Sequence, residues 1–275
     1  MSLKLFYLTT EISPFANIEK VGDFSAAVPL ALQNLGHDIR TMLPKYGYVS
    51  ERKYILREVI RLREIPFEFG SEDIVSSAKS AFIPKTRVQV YFLEDKHWFK
   101  PLNNLIYKSK NGRQLGDNDI RFAFFSKAAI AILPHLFWKP DILLCNNWTS
   151  AFVPAVYKEL YESKEFYGSI KTVLLVHSLD EYENFSSEAF KKAGLKIPEN
   201  MNGDSMNGYE AAAPYADLII CLDTPANKVS EKLLKYPGII PYKHKVVAIS
   251  LSDEISPDYP AVANSINDEL VKLYD

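Results

Sequence analysis

A strand, a helix and a second strand follow one another within about forty residues of the N-terminus, and this constrains the fold more than any other feature. Leu3–Thr9 is a short apolar run that reads as a buried strand. Asp23–Leu35 places Phe24, Ala27, Val28, Ala31, Leu32 and Leu35 on one helical face, with Asp23 set to cap the start and Gly36 to close the end. Asp38–Leu43 reads as the second strand. Two strands joined by a helical crossover pair in parallel, and a parallel sheet needs helices on both faces. The chain is thereby committed to an α/β architecture.

The same rhythm recurs downstream. Helices are expected over Asp119–Leu136, Thr149–Glu162 (kinked at Pro154), Ser205–Ala213, Thr224–Lys235 and Asn264–Tyr274. Strands are expected at Asp141–Cys145, Thr172–His177, Asp217–Leu222 and Lys245–Ser250. Tyr54–Phe92 departs from this pattern: β-branched and aromatic residues broken by Pro66, Gly70 and Pro84 read as antiparallel or edge strands ending in Val88–Leu93. Lys96–Gly116 reads as a polar, aromatic loop, and Ser178–Asp204 as a long loop with a short helix. One doubly wound, Rossmann-like α/β domain over 1–275 with an inserted β segment accounts for all of this. Ligands of such sheets sit beyond the C-terminal strand ends, here the loops after Thr9, Leu43, Leu93, Cys145, His177 and Leu222.

Composition narrows the function. With 32 Lys+Arg against 34 Asp+Glu the formal charge is −2, with no polybasic stripe, so nucleic acid is not an expected partner. No run approaches the ~18 apolar residues of a membrane span. The two thiols, Cys145 and Cys221, lie in apolar runs far apart, which suggests core cysteines in a reducing compartment. No metal-ligand spacing is present and no cofactor is expected. The N-terminus has neither a basic leader nor a small-residue cleavage site, so a cytoplasmic location is expected. Glycine is scarce: 11 of 275 residues, against a usual ~7%. A chain this poor in glycine has few loops where backbone can close on phosphate.

Several loops carry a recognisable pattern. Glu11-Ile12-Ser13-Pro14-Phe15-Ala16, Gly22-Asp23, Leu43-Pro44-Lys45-Tyr46-Gly47, Asp117-Asn118 with Arg121-Phe122-Ala123, Trp138-Lys139-Pro140-Asp141-Ile142, Trp148 and Tyr215-Ala216-Asp217 occur in order. The chain resembles the N-terminal domain of bacterial glycogen synthase and plant starch synthase, the family-5 retaining glycosyltransferases, from Leu3 to about Leu251. The resemblance implies the N-terminal domain of the GT-B fold, ADP-glucose as donor substrate and an α-1,4-glucan as acceptor. It marks Glu11, Gly22, Asp23, Tyr46, Asp117, Asn118 and Trp148 as substrate-side candidates. Each also has a structural reading: Asp23 as a helix cap, Trp148 as core, Arg121 as an ion-pair partner. Trp98, Phe99 and Trp148 are candidates to stack on sugar rings.

The motif positions nearest the chemistry depart from the family. Its K-T-G-G-L-G-D loop is Asn17-Ile18-Glu19-Lys20-Val21-Gly22-Asp23, which replaces the lysine by Asn17 and the glycine pair by Glu19 and Lys20. Its H-D-W is Asn146-Asn147-Trp148, so the family's histidine position holds Asn146, which cannot titrate. Of T-I-H-N-x-x-Y-Q-G only His177 remains, a candidate catalytic residue, and Glu183 stands at the closing glycine. Glu210 occupies a family lysine position, and Ser250-Leu251-Ser252-Asp253 replaces the N-G-I-D end. The family's second domain, which supplies most of the donor site, has no counterpart here, and the last helix is expected to match the one that crosses back to this domain, as in a finished small protein. The expected function is that of a synthase-like pseudoenzyme that binds glucan without transferring glucose. The alternatives are the acceptor half of a split transferase, or an interaction protein whose exposed face binds a partner or self-associates.

Overall fold

The computed structural model describes residues 1–18, 20–99, 106–109, 111–252 and 257–274. Its elements in chain order are β1 (Lys4–Leu8), α1 (Val21–Asn34), β2 (Asp38–Pro44), α2 (Glu51–Tyr54), β3 (Arg57–Glu58), β4 (Ile65–Phe69), β5 (Glu72–Phe82) and β6 (Gln89–Glu94). Next come α3 (Asn118–Ala131), β7 (Ile142–Asn146), α4 (Val153–Leu160), β8 (Lys171–Val176), β9 (Asn184–Ser186) and α5 (Ser187–Ala193). The chain continues with β10 (Ser205–Asn207), α6 (Gly208–Ala212), β11 (Leu218–Asp223), α7 (Val229–Leu233), β12 (Val246–Ser250) and α8 (Tyr259–Lys272).

The main sheet runs β12-β11-β8-β7-β1-β2-β6-β5-β3, with β4 paired to β5. From β12 to β6 every pairing is parallel, and β5 closes that side antiparallel to β6. The β1–α1–β2 unit forms as the sequence pattern requires, in the register Lys4↔Asp38 to Leu8↔Met42. Along β1, Phe6 and Leu8 enter one core layer while Leu5 and Tyr7 enter the other, the period-two alternation of a strand buried on both faces. The first layer packs under α3 and α4, and the second under α1 and α8. Gly36, at φ +96°, ends α1 by donating its N–H to Gln33 O at 3.0 Å, in a backbone region that disfavours residues with a Cβ.

Several expected boundaries shift, each for a local reason. α1 starts at Val21, so Asp23 lies inside the first turn and is not the cap. The helix expected over Thr149–Glu162 splits into a 3₁₀ turn at Trp148–Ser150 and α4. Pro154 falls in the first turn of α4, where its missing N–H costs nothing, so it begins the helix instead of kinking it. Ser205–Asn207 pairs as β10 with β9, and Asn207 caps α6 by accepting from Tyr209 N at 2.9 Å. The helix expected over Asp119–Leu136 ends at Ala131 and passes into a 3₁₀ turn containing Pro134. The helix expected over Thr224–Lys235 shortens to α7, and α8 starts at Tyr259 instead of Asn264, capped by Asp258. Lys96–Gly116 and Ser250–Asp253 lie partly outside the described residues, at 100–105, 110 and 253.

Candidate active site

β1 lies between β2 and β7, and the strand order reverses there. The crevice beyond the C-terminal ends of β1 and β7 is the ligand position of a doubly wound sheet. The segments after Leu8, Asn146 and Val176 converge on it.

Asn146 is fully buried at the end of β7. Its side-chain amide donates to Thr9 Oγ1 at 3.2 Å and to Ser25 Oγ at 3.1 Å. Its Oδ1 lies 2.7 Å from His177 Nε2. With the amide spent on two hydroxyls, Asn146 presents an acceptor to His177, which places the imidazole proton on Nε2. Ser25 Oγ in turn donates to Val21 O at 2.7 Å, which anchors the network in the first turn of α1. Phe24 meets the His177 ring edge-on with centroids 4.6 Å apart. Burial pushes the His177 pKa down to about 3, so the ring is neutral near pH 7. The sequence gives no sign of this network, because Thr9 and Ser25 lie 137 and 121 residues from Asn146.

The loop after β1 is held from inside. Glu11, 2% exposed, accepts from Ile18 N at 2.7 Å. Asp23 is exposed and accepts from Ser13 Oγ at 2.5 Å and Asn17 Nδ2 at 3.3 Å. Asn17 lies over Gly22 so closely that a Cβ at Gly22 would stand 2.5 Å from Asn17 Oδ1. Asn17 thus fills the Cα side of Gly22, so that position has no room for a larger residue. Glu19 lies outside the described residues. Tyr46, fully buried, donates to Thr10 O at 3.0 Å and stacks on Tyr48 at 5.7 Å. Burial raises both phenols, with the Glu11 carboxylate adding to the effect.

On the α3 side, the exposed Asp117 pairs with the buried Arg121. Asn118 donates to Tyr107 O at 2.9 Å, and Arg121 donates to Ile106 O at 2.9 Å and Asn118 Oδ1 at 3.3 Å. These residues pin 106–107 to the helix. Trp148 is 1% exposed and sits among Tyr107, Phe122, Tyr182 and Phe185. Phe99 is also fully buried, and Trp98 packs on Phe69 and Phe124. The expectation that Trp148 and Phe99 stack on sugar is corrected: both rings are enclosed in the core, with no surface left for a sugar to meet. Glu210 accepts from Gly238 N at 2.7 Å, tying α6 to the turn after α7, and Glu183 accepts from Ser178 Oγ at 2.9 Å. Among the described residues no group of three or more His, Cys, Asp or Glu could hold a metal.

Three hollows open along this edge. One of about 540 Å³ is lined by Lys20, Asp23, Phe24, His177, Thr224 and Tyr259, between the start of α1 and the start of α8. A second, about 320 Å³, is lined by Phe15, Asn17, Tyr48, Ser50, Lys53 and Tyr54. Phe15 and Tyr54 meet edge-on at 4.8 Å, and Tyr54 donates to Pro14 O at 2.8 Å. Tyr48 and Tyr54 were not singled out from the sequence. Their place after Leu43-Pro44-Lys45-Tyr46-Gly47, beyond the end of β2, was the available signal. The third, about 610 Å³, holds Lys45 and Lys79, both already matched to Glu51 and Glu94 at 2.8–3.4 Å.

This is a Rossmann-like domain of the GT-B type, with its loops gathered at one sheet edge. The family model of the starch synthase catalytic domain matches residues 4–233, and the chain belongs to that family. It is similar to a glycogen synthase of Pelodictyon phaeoclathratiforme, 31% identical over 247 residues covering 88% of this chain and 49% of that one. A glycogen synthase of Chlorobium limicola is 33% identical over 224 residues, covering 79% of this chain and 45% of that one. The chain spans about half the length of the curated relatives it matches. In fold it is similar to the catalytic domain of starch synthase IV from Arabidopsis thaliana, solved bound to ADP and acarbose. That match has a TM-score of 0.74 at 23% identity and covers 91% of this chain and 52% of that one.

Proposed function

We propose that this domain binds an α-1,4-glucan and does not transfer glucose from ADP-glucose. The observation that carries the reading is Asn146. Where the family pattern has a histidine, this chain has a side chain that cannot titrate and whose polar atoms are all engaged by Thr9, Ser25 and His177. His177, the remaining candidate acid or base, is neutral, and its Nε2 proton is directed to Asn146. General acid–base work needs a group that titrates near the working pH and reaches the substrate. Neither residue meets both requirements. The family loop's lysine is Asn17 here, so that position offers no cation to a diphosphate.

The proposed glucan surface is the hollow beyond the end of β2. Tyr48 and Tyr54, both half-buried, line a hollow backed by the buried Phe15, with Asn17, Ser50 and Lys53 at its rim, and the two tyrosines suit stacking and hydrogen bonding to sugar rings. Acarbose, found with the Arabidopsis domain, is a pseudo-oligosaccharide, which makes a linear maltooligosaccharide the natural probe. Purified chain incubated with glycogen and ADP-glucose is expected to release no ADP above a protein-free control. Steady ADP release proportional to protein would contradict the reading.

A further inference from the structure

Lys127 is a buried cation that nothing in the site above uses. It lies on α3 with 7% of its surface exposed, and among the described residues its ammonium makes no hydrogen bond or ion pair. Its carbon stem is buried in the helix packing, and the residue lines a cavity of about 440 Å³ to which its ammonium can turn without leaving solvent. The cavity is lined by Glu68, Lys127, His135, Tyr161, Lys164 and Tyr167, among others. Lys164 Nζ stands 4.3 Å from the Tyr161 ring centroid, and Tyr161 packs on Tyr167 at 4.9 Å. Tyr167 donates to Ile130 O at 3.2 Å, which fixes the aromatic wall.

Two ammonium groups face one exposed carboxylate, Glu68, and among the described residues neither ammonium is bridged to it. Burial lowers the Lys127 pKa, Glu68 opposes that effect and Lys164 adds to it. The positive charge is therefore short of a partner. The cavity is also far from the edge described above. Residues 131–135 and 160–167 lead into the N-terminal ends of β7 and β8, whereas Asn146 and His177 lie at or just beyond their C-terminal ends.

We propose that this cavity binds a phosphate dianion, with Lys127 and Lys164 as its charged donors and Tyr161 and Tyr167 as the wall for an organic ester group. A dianion placed between the two ammoniums supplies the missing charge through charge-assisted hydrogen bonds. The aromatic wall favours an ester over the bare ion.

Calorimetric titration of the whole chain at fixed ionic strength tests this, with inorganic phosphate and phenyl phosphate as separate probes and phenol as the uncharged control. Saturable binding of phenyl phosphate, none of phenol, and a loss of at least about tenfold in affinity in Lys127→Met are expected. Tighter binding of phenyl phosphate than of phosphate assigns the site to esters, and equal affinity assigns it to the free ion. Absence of saturable binding, or unchanged affinity in Lys127→Met, overturns the proposal. Lys127→Met keeps the length and apolar character of the buried stem, so it is expected to fold. If it does not, the exposed Lys164→Met carries the test, and unchanged affinity there overturns the proposal as well. Maltooligosaccharide binding at the opposite edge is expected to be the same in both variants, which separates this outcome from that of the glucan reading.

Discussion

At the scale of single residues, the decisive group is the His177 imidazole. Its pKa in the folded chain, about 3, lies below its ordinary value of 6.5. Between those values the unfolded chain takes up a proton that the folded chain refuses. Stability therefore falls as pH drops through that window, by up to about 1.4 kcal/mol per pH unit, and this residue contributes nothing above it. His177→Gln keeps a donor for Asn146 Oδ1 and is expected to flatten that acid limb, measured by urea unfolding at about pH 7 and about pH 4.5. An unchanged limb would mean that the ring is protonated in the folded state. Trp148 and Tyr48 separate packing from binding. Trp148→Ala removes a fully enclosed ring and is expected to cost about 3–5 kcal/mol in chemical denaturation. Tyr48→Ala and Tyr54→Ala are each expected to weaken maltoheptaose binding by about two- to tenfold, since one lost ring contact is worth about 0.5–1.5 kcal/mol, with cooperative unfolding retained. The residue types at 146 and 177 were legible in the sequence, and so was the loss of a titrating side chain. Their mutual hydrogen bond was not, because its supporting hydroxyls come from β1 and α1.

At the scale of elements, long periodic segments were legible and short ones were not. α1 carries enough turns for its apolar stripe to stand out, and Gly36 marks its end. β9 and β10 have three residues each, too few to show alternation, so Ser205–Asn207 merged with the helix behind it. Trp148 looked like a site residue because it adjoins Asn146-Asn147. Only the packing of Tyr107, Phe122, Tyr182 and Phe185 around it shows that it is core. The last helix illustrates how an element can anchor a site. α8 buries Val262, Ala263, Ile266 and Leu270 in the layer shared with α1, and Asn267 Oδ1 lies 2.8 Å from His37 Nε2. Its first residue, Tyr259, lines the hollow beside His177. Ile266→Ala is expected to destabilise the chain by about 2–4 kcal/mol in urea unfolding. A cost below about 0.5 kcal/mol, the range of surface substitutions, would mean that α8 is not an integral part of the layer.

At the scale of the whole molecule, the scarcity of glycine and the altered site belong together. The parallel strand order about β1 follows the Rossmann-like half of a GT-B fold. Against the family pattern of the sequence, Glu19 and Lys20 stand at its glycine pair and Asn146 at its histidine. Of the three hollows open at that edge, the one lined by Tyr48 and Tyr54 is the proposed glucan site. The most direct measurement is isothermal calorimetry of the purified chain titrated with maltoheptaose in the presence of ADP-glucose. Saturable injection heats that return to the starting baseline are expected, the signature of binding without turnover. A sustained baseline offset that scales with protein concentration, or no saturable heat at all, would contradict glucan binding without transfer.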